Sequence, residues 1–170
     1  MSVDGLAAPV AELEAGATFT SRGRTITEAD LVSFSALSGD WHPQHADAAW
    51  AANSRFGERV AHGMMVLSYA VGLVGFDPER VVALRGLDGV VFKRPVRVGD
   101  TIRVEGTVEA VRPLDDELAL CDLGWRISNQ DGVMVAKAKV TAVSRRRPPQ
   151  QRAEPEPEPA SDGVFSELYL

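Results

Sequence analysis

The segment 63–75, GMMVLSYAVGLVG, constrains the fold of this chain most strongly, because it is apolar on nearly every side of a helix. A helix of this kind must be buried over most of its surface. At 13 residues it is shorter than the about 20 residues that a transmembrane helix needs. The sequence therefore predicts a buried helix that other protein elements cover.

The second half of the chain changes to the period of β-strands. In residues 101–111 apolar and polar side chains alternate, as in a strand with one buried face. Residues 119–127 and 134–140 repeat this alternation, and a turn over residues 129–132 separates them. One more extended segment is predicted over residues 81–96.

The first half of the chain carries helix signals. Thr27 precedes an acidic turn, and apolar residues between Leu31 and Leu37 follow at helical spacing, which predicts a capped amphipathic helix. Asp47 opens a short second helix. Because helices precede a run of strands, we predict an α+β domain with one buried helix against a curved antiparallel sheet. The strands are few for so apolar a helix, which indicates that a second subunit completes its burial.

Three parts can be distinguished along the chain. Residues 1–17 form an acidic N-terminal arm, and residues 18–144 form the globular body. Residues 145–170 begin RRRPPQQR and continue EPEPEP, a composition that removes helical hydrogen bonds and repels itself, so we expect an extended or disordered tail. Its last residues, VFSELYL, are apolar again, and they are either a frayed terminus or a segment that docks on the body or on a partner.

The composition argues against several classes of protein. A net charge of −6 argues against a nucleic-acid partner, because phosphate binding needs a basic face. The sequence shows neither a secretory signal nor a membrane-spanning run, so we expect a cytoplasmic protein without a membrane partner. The single cysteine, Cys121, permits no internal disulfide, and in a strand-like run a core role is more common for it than a nucleophile's.

All three histidines lie in two short stretches, 39-GDWHPQH-45 and 61-AHGMM-65. Asp40 and His45 flank Pro43, whose bend can bring a carboxylate and an imidazole to one water molecule. Such a pair can take a proton from the water and give one elsewhere. The alternative is that Asp40 only stabilises a turn or a helix start and that His45 is a solvated loop residue.

His62 and Gly63 directly precede the apolar helix. The first N–H groups of a helix have no partner inside it, and glycine lets a ligand approach closely. A carbonyl oxygen bound there would be polarised, and a developing oxyanion would be stabilised. The alternative is an ordinary helix start with a glycine near its cap.

Two other kinds of site fit the sequence less well. A metal could use the three histidines with Asp40, but Pro43 separates His42 from His45 and the spacing is not that of a regular element, so we predict no metal. A serine hydrolase is disfavoured, because the chain has no G-x-S-x-G motif and Ser68 lies inside the apolar helix.

The run 34–51, FSALSGDWHPQHADAAWA, closely resembles the signature of MaoC-like dehydratases, the (R)-specific enoyl-CoA hydratases. That signature reads roughly S/T-G-D-x-N-P-x-H after an aromatic residue. The blocks 60-VAHGMM-65 and 92-FKRPVRVGDTI-102 resemble the second and third blocks of this family. The resemblance covers residues 18–144, with the blocks in the expected order.

The resemblance implies a hot-dog fold, in which an antiparallel sheet wraps a long helix, and a homodimer. It also implies that Asp40 is the general base for the water that adds to a 2-enoyl thioester. His45 would hold this water and deliver a proton to C2, and the N–H of Gly63 would bind the thioester oxygen. The substrate would be an acyl-CoA or a related acyl thioester, and no cofactor is expected.

The chain departs from the family at two positions of the first block. His42 stands where the family usually has Asn, and Gln44 stands where an apolar residue is more typical. Asn and His can both donate a hydrogen bond to a neighbouring carbonyl oxygen, so we expect the loop to keep its conformation with His42. We expect His42 and His62 to lie around the pair as supporting residues.

Four basic residues are candidates for binding CoA, although each taken alone is more commonly a plain surface charge: Arg55, Arg85, Lys93 and Arg94. Two alternative functions stay open. A hot-dog thioesterase would need the same polarised carbonyl but a water aimed at C1, and a non-catalytic subunit would bind acyl thioesters without turning them over. The pair of Asp40 and His45 ahead of the His-Gly block favours hydration.

Overall fold

The structure is a computed structural model that describes residues 14–147. The predicted N-terminal arm up to residue 13 lies outside the described residues, and so does the predicted tail from residue 148, including VFSELYL. In chain order the elements are β1 (Thr18–Thr20), β2 (Arg24–Thr25), α1 (Glu28–Ser38), α2 (Pro43–Ala46), α3 (Ala48–Ala52), α4 (Gly63–Val74), β3 (Val81–Phe92), β4 (Thr101–Pro113), β5 (Leu118–Ser128) and β6 (Met134–Arg145).

The strands form one antiparallel sheet in the order β1, β4, β5, β6 and β3, and β2 pairs with β4 beside β1. Short turns join β4 to β5 and β5 to β6, and the second of these holds Gly132 at a φ of 72°. The predicted α+β class with an antiparallel sheet is therefore confirmed.

Helix α4 packs on the inner face of this sheet and forms the centre of the core. Its buried residues are Met65, Val66, Leu67, Ala70 and Val74. The predicted inward faces of the strands meet them, with Val104, Val108, Cys121, Leu123, Ile127 and Val140 among the fully buried side chains. Each large apolar side chain buried in this way contributes roughly 1.5–3 kcal/mol. Burial also raises the pKa of the Cys121 thiol to about 11, as fits a core cysteine rather than a nucleophile.

Helix α1 begins with the predicted cap. Thr27 and Asp30 form a capping box, in which Oδ2 of Asp30 accepts the N–H of Thr27 at 2.7 Å. The buried face differs from the prediction in the last turn of the helix. Leu31 and Ser35 are buried, whereas Leu37 is 84% exposed. A polar residue, Ser35, thus takes an inward position that the apolar pattern did not mark.

Helix α2 is a helical turn inside the segment that the sequence pattern predicted only as a bend. Pro43 is its first residue, where its fixed φ suits a helix and its missing N–H leaves no bond unmade. Asp47 then caps α3 by accepting the N–H of Trp50 at 2.9 Å, so the predicted short helix is confirmed. These two turns place His45 on a regular element.

Strand β3 forms one edge of the sheet, because within residues 14–147 it pairs with β6 alone. Its exposed side chains include Val82, Leu84, Leu87, Val91 and Phe92. Met64 at the start of α4 is also 57% exposed. Among the described residues, none of the helices has both the length and the apolar character that crossing a membrane requires.

Candidate active site

Asp40 lies in the short connection between α1 and α2. The α1 helix ends at Gly39, whose φ of 76° turns the chain and whose N–H donates to the carbonyl oxygen of Ser35 at 2.9 Å. The N–H of Asp40 donates to Oγ of Ser38 at 3.2 Å, and Oδ1 of Asp40 accepts the N–H of His42 at 3.1 Å. The carboxylate is therefore oriented by its neighbours, yet it is 51% exposed and can exchange protons with water.

His45 lies in α2 and is buried, with 5% of its surface exposed. Its Nδ1 lies 2.6 Å from the carbonyl oxygen of Val60. Because a carbonyl oxygen only accepts, Nδ1 carries the ring proton and Nε2 presents a lone pair. The side-chain amide of Gln44 donates to this Nε2 at 2.9 Å. Burial lowers the pKa of His45 below its ordinary value of 6.5, against the opposing effect of the hydrogen bond to Val60.

The structure brings together the two residues predicted to carry the chemistry. Oδ2 of Asp40 lies 3.9 Å from Nε2 of His45. This separation is too long for a direct hydrogen bond, but one water molecule between the two atoms can contact both. The pair therefore offers a carboxylate and an unprotonated imidazole nitrogen to the same small volume.

His62 packs directly behind this pair. Its ring is stacked on the ring of His45, with centroids 3.7 Å apart and planes inclined by 23°. Its Nε2 lies 3.0 Å from the main-chain carbonyl oxygen of Asp40 and 3.2 Å from Oγ of Ser35. The sequence pattern indicated His62 only as a supporting residue, and these contacts show which groups it supports.

Gly63 is the first residue of α4, as predicted, and within the described residues no side chain caps this helix start. The first N–H groups of α4 and the positive end of its dipole are thus open to a ligand. A Cβ on Gly63 would lie 2.8 Å from the ring of Phe92. A larger residue here would force the ring of Phe92 to move, which is a reason for glycine that differs from the close ligand approach inferred from the sequence.

A cavity of about 280 Å³ opens beside His45 and Gly63. Its walls are mainly apolar and include Phe56, Val60, Val66, Phe92, Val96 and Val135. An apolar cavity with a few polar groups at one end is typical of a site for a small, partly apolar ligand. The helix start and the imidazole supply those polar groups.

The four basic candidates lie in different places. Lys93 and Arg94 line the cavity. Arg55 lines a neighbouring groove, which shares Gln44 with the cavity. Arg85 lies in a separate depression on the sheet, together with Arg112 and Asp88. Geometry thus favours Lys93 and Arg94 as ligand contacts and does not bring Arg85 to the site.

His42 is the N-cap of α2. Its Nδ1 accepts the N–H of Gln44 at 3.2 Å, the bond that an Asn side chain commonly accepts at a helix start. Its ring also contacts Trp50 edge-on, with centroids 5.5 Å apart. The departure from the family signature at this position is therefore compatible with the fold of the loop.

Gln44 is the residue that sequence reasoning undervalued. The family signature marks it only as a departure from an apolar position, whereas in the structure it lines the cavity and donates to Nε2 of His45. The only signal in the sequence was its polarity at the position next to His45. Which way its side chain points depends on α2, which the pattern did not predict.

Asp40, His45 and His62 each offer one possible ligand atom for a metal ion, and these atoms lie within 4.8 Å of one another. Two ring nitrogens, Nδ1 of His45 and Nε2 of His62, donate to carbonyl oxygens and have no free lone pair. That the site needs no metal therefore stays a prediction.

The chain matches a known protein family and several of its members. The family model described as "MaoC like domain" matches residues 11–120. The chain is 40% identical over 124 residues to Protein MaoC of Klebsiella aerogenes, which covers 69% of this chain and 37% of that protein. It is 34% identical over 106 residues to the (R)-specific enoyl-CoA hydratase of Aeromonas caviae, covering 62% of this chain and 77% of that enzyme.

Solved structures of similar proteins agree with this family match. An R-hydratase from Pseudomonas aeruginosa superposes with a TM-score of 0.69 at 32% identity, covering 82% of this chain and 86% of that one. A conserved hypothetical protein from Mycobacterium tuberculosis, described as a double hot-dog fold, gives a TM-score of 0.75 at 20% identity, covering 95% of this chain and 54% of that one. The fold is thus the predicted hot-dog fold, and the chain belongs to the MaoC-like domain family.

Proposed function

We propose that this protein catalyses the reversible hydration of a 2-enoyl thioester to a 3-hydroxyacyl thioester. The names of its relatives support this reaction, since they include (R)-specific enoyl-CoA hydratases and a 3-hydroxybutyryl-CoA dehydratase. Because the chain spans only 37% of the Klebsiella protein that it matches, the assignment rests on the site rather than on that relative. The observation that carries it is the 3.9 Å approach of Asp40 to His45 beside an apolar cavity.

In the direction of hydration, Asp40 takes a proton from the water that lies between it and His45. The water oxygen adds to C3 of the enoyl group, and His45, which enters this direction as an imidazolium, gives its Nε2 proton to C2. Asp40 is then protonated and His45 neutral, and the starting state returns when Asp40 releases its proton to solvent and His45 takes one up. In dehydration Nε2 of His45 takes the proton from C2, and Asp40 returns a proton to the departing hydroxyl, so that water is released. Nε2 carries no proton in the structure, which matches the start of the dehydration direction once the substrate displaces the amide of Gln44 that now donates to it.

The start of α4 has a separate task in the proposed reaction. When water adds to C3, or when the C2 proton leaves in the other direction, the electron pair at C2 is delocalised into the thioester carbonyl group, and negative charge develops on its oxygen. The N–H of Gly63 would bind this oxygen, and the positive end of the helix dipole would stabilise the charge. The lack of a capping side chain within residues 14–147 supports this role, because the N–H groups are not already bound.

Lys93 and Arg94 are the residues that we propose for binding the phosphates of CoA. Both line the cavity, and both follow the last residue of β3. Their positive charge complements the phosphates of a CoA thioester. The proposed reaction uses only acid–base groups of the chain, so we expect no cofactor and no metal, and metal analysis of the purified protein tests this expectation.

We also propose a homodimer in which strand β3 meets a second copy. A long edge strand with exposed apolar side chains such as Leu84, Leu87 and Val91 is ready to pair with another strand. The exposed Met64 at the start of α4 would gain cover from the same partner. Light scattering after size-exclusion chromatography should give twice the mass of one chain, and a monomer would refute the proposal.

A direct assay tests the reaction. Purified protein incubated with crotonyl-CoA should lose the absorbance of the conjugated enoyl group and form 3-hydroxybutyryl-CoA without releasing free thiol. Release of CoA thiol with the alkene intact would instead identify a thioesterase. Binding of the thioester without turnover would identify a non-catalytic subunit.

A further inference from the structure

His62 links three elements at the back of the site. It precedes the first residue of α4, its Nε2 lies 3.0 Å from the main-chain carbonyl oxygen of Asp40, and the same nitrogen lies 3.2 Å from Oγ of Ser35 in α1. The ring is buried, with 2% of its surface exposed. Such a residue can transmit the position of α4 to the connection that carries Asp40.

The hydrogen bond to Asp40 fixes the state of the His62 ring. Because the carbonyl oxygen of Asp40 can only accept, Nε2 of His62 must carry the proton. Nδ1 then presents a lone pair, and it is buried without a hydrogen-bond partner among residues 14–147. An unpaired buried polar atom costs stability, so a residue chosen for stability alone would not leave one here.

His62 also contacts the second residue of the proposed proton-transfer pair, because its ring stacks on the ring of His45. The two rings lie 3.7 Å apart and nearly parallel, so His62 limits how far the ring of His45 can tilt. From the other side, Phe34 packs against His62 with centroids 5.0 Å apart. His62 itself is not part of the cavity wall, whereas its neighbours Ala61 and Gly63 are.

We propose that His62 is the positioning residue that holds both members of the proton-transfer pair, by donating a hydrogen bond to the main chain of Asp40 and by stacking on His45. The proposal rests on the proposed function, because it assigns His62 a role in that reaction. Loss of the donor would let the Asp40 connection move, and misplacement by about 1 Å can lower a rate about 100-fold. Because His62 does not line the cavity, substrate binding should be nearly unchanged.

Two substitutions at His62 separate the effect of its hydrogen-bond donor from the effect of its ring stacking on His45. His62→Phe keeps an aromatic ring against His45 but has no donor, whereas His62→Gln keeps an N–H donor near the position of Nε2 but has no ring. We expect His62→Phe to lower kcat for crotonyl-CoA hydration at least about tenfold with KM within about twofold. We expect His62→Gln to recover a large part of that loss. A control variant, Cys121→Ala, removes a buried side chain from β5 and should lower the unfolding temperature while leaving kcat unchanged.

Amide hydrogen exchange gives a readout that does not depend on turnover. In His62→Phe the N–H groups of Trp41 and His42, which are bonded inside the Asp40 connection, should exchange faster, while those of β5 should not. Faster exchange in His62→Phe, together with no turnover by the unchanged protein, would show that His62 holds the Asp40 connection in place but that the proposed reaction is wrong. A His62→Phe protein with unchanged kcat, or with exchange raised equally in β5, would overturn the role of His62. Equal loss of kcat in the Phe and Gln variants would overturn the role of the donor.

Discussion

Nδ1 of His45 lies 2.6 Å from the carbonyl oxygen of Val60, and this contact determines which nitrogen of the ring can act as a base. Val60 lies fifteen positions further along the chain and also lines the cavity. Its carbonyl fixes the ring proton on Nδ1 and directs the lone pair of Nε2 towards Asp40 and Gln44. The protonation of His45 and the residues around its Nε2 should therefore control the proposed reaction.

The first prediction concerns the titration of His45. Burial lowers its pKa, so in the folded protein the ring should protonate with a midpoint below 6.5, as measured by NMR of the imidazole nitrogens. Because the unfolded chain then binds its proton at a higher pH than the folded chain, this residue makes stability fall as the pH decreases through and below 6.5. A midpoint at or above 6.5 in the folded protein would contradict this assignment.

The second prediction concerns Gln44. Gln44→Glu places a carboxylate where an amide now lies 2.9 Å from Nε2 of His45. An adjacent negative charge favours the imidazolium, so the pKa of His45 should rise relative to the unchanged protein. The same NMR titration measures the shift, and Gln44→Met, which has similar size and no charge, is the matched control. A His45 midpoint that does not rise in the Glu variant would show that the two side chains are not in contact in solution.

The third prediction concerns His42 as the N-cap of α2. His42→Asn keeps an acceptor for the N–H of Gln44, so the free energy of unfolding should change by less than about 0.5 kcal/mol. His42→Ala removes the acceptor and should lower it by about 1 kcal/mol. Urea denaturation of the two variants gives the comparison. Equal stability of the Asn and Ala variants would mean that the hydrogen bond at 3.2 Å does not stabilise α2.

The fourth prediction concerns acid stability. Burial alone would raise the pKa of Asp30, but hydrogen bonds from Thr27, Tyr69 and Arg24 outweigh it and lower the pKa to about 2. The stability that Asp30 contributes should therefore be complete above about pH 4 and be lost as the pH falls towards 2. Asp30→Asn should remove this part of the pH dependence in urea unfolding at pH 5, 4 and 3. An unchanged slope in the variant would show that another group is responsible.

The sequence was sufficient for features that depend on local pattern. Strands β4, β5 and β6 alternate with a period of two, so most of their inward positions could be predicted, although Met134 is only half-buried and Val135 beside it is buried. The start of α1 could be predicted because Thr27 and Asp30 stand at the spacing of a capping box. The Asp40 and His45 pair could be predicted from its short separation and from the family signature.

Features that depend on contacts between distant segments could not be predicted from the sequence pattern. The stack of His62 on His45 joins residues seventeen positions apart, and its existence depends on how α4 meets α2. The packing of Phe92 on Gly63 joins the end of β3 to the start of α4. A pattern of residue types indicates neither contact, because both are set by the arrangement of complete elements.

The role of Asp40 as the general base is tested by the rate of crotonyl-CoA hydration by the Asp40→Asn variant. Asn keeps the size of the side chain and removes the base, so kcat should fall by about 100-fold or more while the protein stays folded. Asp47→Asn is the matched control, because it makes the same chemical change at the cap of α3, where Asn caps equally well. Hydration should be lost in Asp40→Asn alone. A hydration rate in Asp40→Asn equal to that of Asp47→Asn would contradict the proposed role of Asp40.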